Sequence, residues 1–477
     1  MRFGALSVKA SKAQYGAVEE LDSEEGLVAQ IVRHPNAVVF TLFVCLATVA
    51  EGYDFGVLNG ALVLIADDFK CPTWQIATLV SVTPLFVIVG TAIGSSIGDH
   101  CGRWRALLLT CVVLVCGPLY MALAPGIWNL VAGRCMVGLG VGMGLVIVSM
   151  YIAETAPKAL RGPLTTLEDV FLNVGMVLGY FANWALAEKE NNWRWMLASG
   201  MLPCALLGMF LAFYEVKESP RWLHMQGRSE ESRAVLTYFL TPGEAAQALE
   251  EMQGRSSTSQ EKNFVSWAEL FTTASADRRK RAALFAGCTV CIGQMLCGML
   301  VVAYYSSEIL QKFMSEERAF LATTFLGLAK LVVGAIVAAV VEKVGRRTML
   351  LASVGVTTCA CVLLATSLQL AWNPYFHAAI LCLYMAGYSL GLGPITFVYI
   401  SEVFVSQYRA KSMALAMMCS RCCGVIIIFF FPLYAEQVGM PTAFATLGAF
   451  NVVLVTILYF TVVETGGHTL ENVEQIF

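Results

Sequence analysis

Charge is what this 477-residue chain has least of. Only 14% of it is Asp, Glu, Lys or Arg, against roughly 25% in an average soluble domain. Hydrophobic residues make up 57% and the mean hydropathy is +0.68, which excludes an ordinary soluble domain. A net charge of −3 offers no basic surface, so nucleic acid is not an expected partner. No GxxxxGK[ST] loop is present, which argues against ATP-driven pumping. No nucleophile–base constellation suggests an enzyme, and no filter repeat suggests a channel. The five histidines do not cluster, so neither a metal nor a cofactor is expected. The 16 cysteines sit mostly inside apolar runs and read as small, reduced packing residues, including those of MMCSRCC at 417–423. N-x-S/T sequons are absent, and so is a basic segment leading into a short apolar run and a cleavage site. The first long apolar segment is therefore expected to be retained as an anchor.

What the chain does have is apolar runs long enough to cross a bilayer, which takes about 20 residues. Twelve are expected, near 37–65, 75–97, 105–124, 127–153, 162–186, 193–214, 283–309, 320–342, 348–368, 376–403, 411–433 and 442–463. They divide the chain into a polar segment 1–36, a six-helix half 37–214, a polar connector 215–280, a second six-helix half 281–464 and a tail 465–477. The connector segment SEESRAVLTYFL alternates charge with Leu and Val, which predicts short amphipathic helices. Arg103 with Arg105, Lys158 with Arg161, Arg278 to Arg281, Arg346 with Arg347, and Arg409 with Lys411 all fall in alternate loops. Lys and Arg mark cytosolic loops, so both termini and the connector are placed in the cytosol. The expected fold is an all-α membrane protein in plasma or internal membrane, with the bilayer as partner, and it is expected to be a monomer.

The two halves also repeat each other. YIAETAPKALRG at 151–162 returns as YISEVFVSQYRAK at 399–411, with Tyr151, Ile152, Glu154 and Arg161 displaced by 248 residues onto Tyr399, Ile400, Glu402 and Arg409. GDHCGRWR at 98–105 returns as VEKVGRR at 341–347, displaced by 243. Parallel repeats are the design of a rocking carrier with its solute held between the halves. Asp99, Arg103, Glu154, Arg161, Glu342, Arg346, Glu402 and Arg409 then form a cytosolic gate. Topology alone would explain the cations but not the matching acids. Glu154 with Arg409, and Arg161 with Glu402, are expected to pair across the halves when the carrier is closed on that side.

In order along the chain, GYDFGVLNGALVLI, GDHCGRWR, GRCMVGLGVGM, YIAETAPKALRG, ESPRWL, YYSSEIL, EKVGRR, GPITFVYISEVF and VETGGHTLENVE resemble the signature segments of the sugar porter family of the major facilitator superfamily. The resemblance implies a twelve-helix carrier of hexoses, pentoses or polyols, either facilitative or proton-coupled. It also implies that Asp54 and Arg134 lie together and link protonation to transport. At the positions where the family binds sugar, this chain has Asp169, Gln294, Met295, Leu300, Lys330, Phe397, Ser420 and Arg421. Two amides have become an acid and a base, and an aromatic has become arginine.

Ionisable residues within a span face a cavity and usually have a partner. Those here are Glu51, Asp54, Arg134, Glu168, Asp169, Lys330 and Arg421. Lys330 and Arg421 on the second half either gate against Glu168 and Asp169 on the first, or receive a carboxylate or phosphate. The expected function is a proton-coupled secondary carrier of an organic anion or zwitterion. The alternatives are a sugar or polyol carrier, or a non-transporting nutrient sensor. Gly52 with Gly56, and Gly138 with Gly142, are spaced for close helix approach.

Overall fold

A long apolar run in hydrocarbon can satisfy its backbone only by coiling, because no water is there to bond to it. The computed structural model describes residues 27–213, 218–257, 278–404 and 409–465, and all regular structure among them is helical. Eleven described helices are long and apolar enough to span a membrane. Spans one to six are Pro35–Phe69, Thr73–Cys101, Arg103–Ala122, Ile127–Thr155, Arg161–Leu186 and Asn192–Phe213. Spans seven, eight, nine, eleven and twelve are Arg278–Gln311, Glu316–Val337, Arg346–Gln369, Lys411–Val438 and Met440–Thr461.

The tenth expected span, 376–403, is not one helix. It runs as Pro374–Ser389 and Ile395–Val403, broken at Gly-Leu-Gly-Pro. Pro394 has no N–H to continue the ladder. Gly391 lets the break pack directly on span nine, where a Cβ would stand 2.3 Å from the Met349 carbonyl oxygen. The carbonyls freed at Leu392 and Gly393 are met by Gln294 Nε2, at 2.9 and 3.3 Å.

Glycines bring spans one and five together as their spacing predicts. A Cβ on Gly52 would lie 1.9 Å from the Leu172 carbonyl oxygen. Gly138 and Gly142 let span four press on span two at Thr83 and Val87 in the same way.

The connector carries the expected short helices, Pro220–Met225, Ser229–Phe239 and Pro242–Ser257. The second buries Val235, Leu236 and Phe239. The Phe239 ring lies tilted against that of Phe40, centre to centre 5.2 Å, and Asn36 Nδ2 donates to the Tyr238 carbonyl at 3.0 Å. These contacts hold the connector under the start of span one, and define a connector face and an opposite, far face. The expected segments at 1–26, 258–277 and 466–477 lie outside the described residues, as do the side chains of Glu342 and Arg409.

Candidate functional site

Gly102 and Gly345 begin spans three and nine at φ of 95° and 92°, a region that L side chains avoid. Each helix start is capped by a carboxylate from a distant segment. Glu218 accepts from the amides of Arg103 at 2.8 Å and Trp104 at 3.2 Å. Glu464 accepts from Arg346 at 2.8 Å and Arg347 at 3.0 Å. A negative group at a helix N-terminus meets both unsatisfied N–H groups and the positive end of the dipole.

The guanidinium of Arg103 then forks onto Glu154 at 3.0 and 3.1 Å, with Asp99 at 3.4 Å. Glu154 also accepts from Ser219 Oγ. The second half repeats the arrangement: Arg346 lies 3.1 Å from Glu402, which accepts from Thr465 Oγ1 at 2.6 Å. Each half thus carries its own belt on the connector face. Among the described residues, the structure brings Asp99, Arg103 and Glu154 together within one half, and Arg346 with Glu402 within the other. Arg103 is fixed to the Gly98 carbonyl at 2.8 Å and sits beside the end of span four, so its own half supplies the nearest acid. Arg161 is exposed.

At the far face the halves are stitched together. Asn59 on span one donates to the Ala303 carbonyl at 2.7 Å and Ser306 Oγ at 2.9 Å, and accepts from Ser307. Tyr180 on span five donates to the same Ala303 carbonyl at 3.0 Å.

Below this stitch, at mid-span, lies a cavity between the halves. Its polar lining is Glu51, Asp54, Thr83, Tyr304 and Arg421; Phe55, Met295 and Leu300 supply apolar wall. Asp54 is ion-paired with Arg134, which is fully buried. The Tyr304 hydroxyl lies beside the Arg134 guanidinium. Asp54 and Arg134 are therefore together, as the resemblance implied.

Of the expected solute residues, Arg421 lines the cavity. Lys330 does not: it is 6% exposed, its Nζ is 3.8 Å from Met176 Sδ and 5.9 Å from the Tyr388 ring centre. Asp169 and Glu51 are its acidic electrostatic neighbours. Gln294 is bonded to the break in span ten, and Ser420 donates to the Cys291 carbonyl at 2.6 Å. Glu168 accepts from Ser149 at 2.6 Å, Asp169 from Asn173 at 3.1 Å, and Phe397 is 42% exposed.

Three features escaped the sequence reading. Glu218 and Glu464 stand in quoted motifs and are displaced by 246 residues, a repeat that could have exposed them. Glu51 was left without a role, although it is one turn from Asp54. Cys288-x-x-Cys291 and Cys419-x-x-Cys422 occur on spans seven and eleven, but no group of three ligating side chains fit to hold a metal occurs among the described residues.

The family model of "Sugar (and other) transporter" matches residues 40–477. "Probable polyol transporter 4" of Arabidopsis thaliana is 30% identical, over 100% of this chain and 92% of that protein. "Plastidic glucose transporter 4" of Arabidopsis thaliana is 27% identical, over 98% and 86%. The inward open conformation of the xylose transporter XylE from E. coli superposes with a TM-score of 0.80 at 23% identity, over 92% of this chain and 100% of that one. The chain belongs to the sugar (and other) transporter family, as a multi-pass sugar porter of the major facilitator superfamily and a carrier rather than an enzyme.

Proposed function

We propose that the protein carries a neutral sugar or polyol through the membrane by alternating access, with the cavity between the halves as the solute site. The observation that carries this reading is the charge balance of that cavity. Arg421 faces Glu51 across it, and Asp54 is neutralised by Arg134. Lys330 is packed on Met176 and Tyr388 instead. With Glu51 beside Arg421 and Lys330 turned away, the cavity has no net positive charge to hold an organic anion. Relatives named as polyol and glucose transporters support the neutral reading.

Proton coupling is assigned to Asp54 and Arg134. Asp54 borders the cavity, whereas Arg134 lies behind it, so protonating Asp54 would release the pair without moving the solute. With the connector face in the cytosol, the stitch at Asn59 closes the outer side. The test is uptake into proteoliposomes of sorbitol, xylitol, glucose, gluconate and alanine, with and without an inward proton gradient. Uptake of at least one neutral solute, raised by the gradient, is expected. Uptake confined to gluconate or alanine would overturn the reading.

A further inference from the structure

Glu51 and Asp54 lie one helical turn apart on span one, yet their surroundings differ. Asp54 is held by Arg134. Glu51 is 4% exposed, lines the cavity, and makes no hydrogen bond or ion pair among the described residues. Arg421, on span eleven of the other half, lines the same cavity and likewise lacks a bonded partner among the described residues, although it is the nearest cation electrostatically to Glu51. The other charged groups around Glu51 are engaged elsewhere: Glu168 with Ser149, Lys330 beside Met176 and Tyr388. A buried charge without a partner is costly; Glu51 is buried and Arg421 half-buried, and the two, of opposite sign, line one cavity that a ligand can complete.

We propose that Glu51 and Arg421 are a clamp for the hydroxyl groups of the solute. Glu51 accepts hydrogen bonds from two vicinal hydroxyls, and Arg421 donates to hydroxyl oxygens further along the same molecule. A carboxylate offers two acceptor oxygens side by side and a guanidinium offers only donors, so a polyhydroxy chain suits both ends at once. An anion would be repelled by Glu51 and a cation by Arg421. Because the two side chains belong to opposite halves, the bound solute ties the halves together, and an empty cavity lacks that tie. The proposal rests on the sugar or polyol reading above.

The test uses the full-length protein in proteoliposomes, with sorbitol, xylitol and glucose as probes. Glu51→Gln and Arg421→Gln should each raise KM for the carried probe about tenfold to a hundredfold, the range for hydrogen bonds to charged groups. The double variant should lose about the product of the two factors, because the two side chains hold different hydroxyls; a double variant no worse than either single one would show that Glu51 and Arg421 act on each other instead. On the unaltered protein, the monodeoxy analogue lacking a clamped hydroxyl should lose the same factor, and Glu51→Gln should not weaken that analogue further. This last result is one that a merely structural Glu51 could not give. Unchanged KM in both variants, or equal losses for every analogue, would overturn the clamp while leaving the carrier reading intact. Failure of the unaltered protein to carry any of the three probes would overturn the solute reading itself, and the clamp with it.

Discussion

The belts on the connector face and the cavity at mid-span follow opposite rules. The belts are duplicated: Gly102, Arg103, Glu154, Glu218 and Ser219 in one half answer to Gly345, Arg346, Glu402, Glu464 and Thr465 in the other. The cavity is not. Its acids Glu51 and Asp54 come from span one, and its cation Arg421 from span eleven. A machine that rocks two halves needs similar hinges at both, whereas a single small solute needs an asymmetric set of contacts. We propose on this ground that the duplicated residues serve the motion, and the unduplicated ones the chemistry.

The largest effect is expected from Asp54→Asn, which should abolish accumulation driven by a proton gradient yet keep some exchange of solute down its own gradient. Gradient-driven uptake that survives the substitution would remove Asp54 from the coupling. Next come Gly102→Ala and Gly345→Ala, each of which places a Cβ 2.3 or 2.6 Å from the capping carboxylate at positive φ. Each should cost about 1–3 kcal/mol of stability, and thermal unfolding should show the two losses to be alike. A large loss at one glycine and none at the other would break the equivalence of the belts. Asn59→Ala removes the Asn59 bonds of the stitch, leaving that of Tyr180, and should shift the equilibrium toward opening at the far face by about 2 kcal/mol. Distances between spin labels at the far ends of spans one and seven would report it, and an unmoved distribution would show that the stitch does not hold the state. The smallest effect belongs to Arg161→Gln, an exposed position, at within about 0.5 kcal/mol in thermal unfolding.

Much of the fold was legible because membrane helices announce themselves by length and apolarity. The broken tenth span was not, since Gly391 and Pro394 sit inside a run that reads as continuous. The belt residues were legible from their displacement, and the pairs inside each half were not; the cross-half pairs were expected for the state closed on the connector side, and one involves Arg409, whose side chain lies outside the described residues. Sequence spacing places Arg103 and Glu154 at helix ends, but only packing decides that Arg103 reaches Glu154 in its own half. Lys330 was placed by its register on span eight, which cannot say whether a flexible amine turns to the cavity or to Met176. Weighing the cations without Glu51 made the cavity look positive. Its carboxylate was visible in the sequence, but the residue facing it came from a helix 370 positions away.

The division between motion and chemistry is tested most directly by comparing Glu51→Gln with Glu402→Gln in the same proteoliposome preparation. KM for the carried neutral solute should rise about tenfold or more for Glu51→Gln. For Glu402→Gln it should stay within about threefold, since the belt contributes no group to the cavity. An equal rise in both, or a rise confined to Glu402→Gln, would contradict the account.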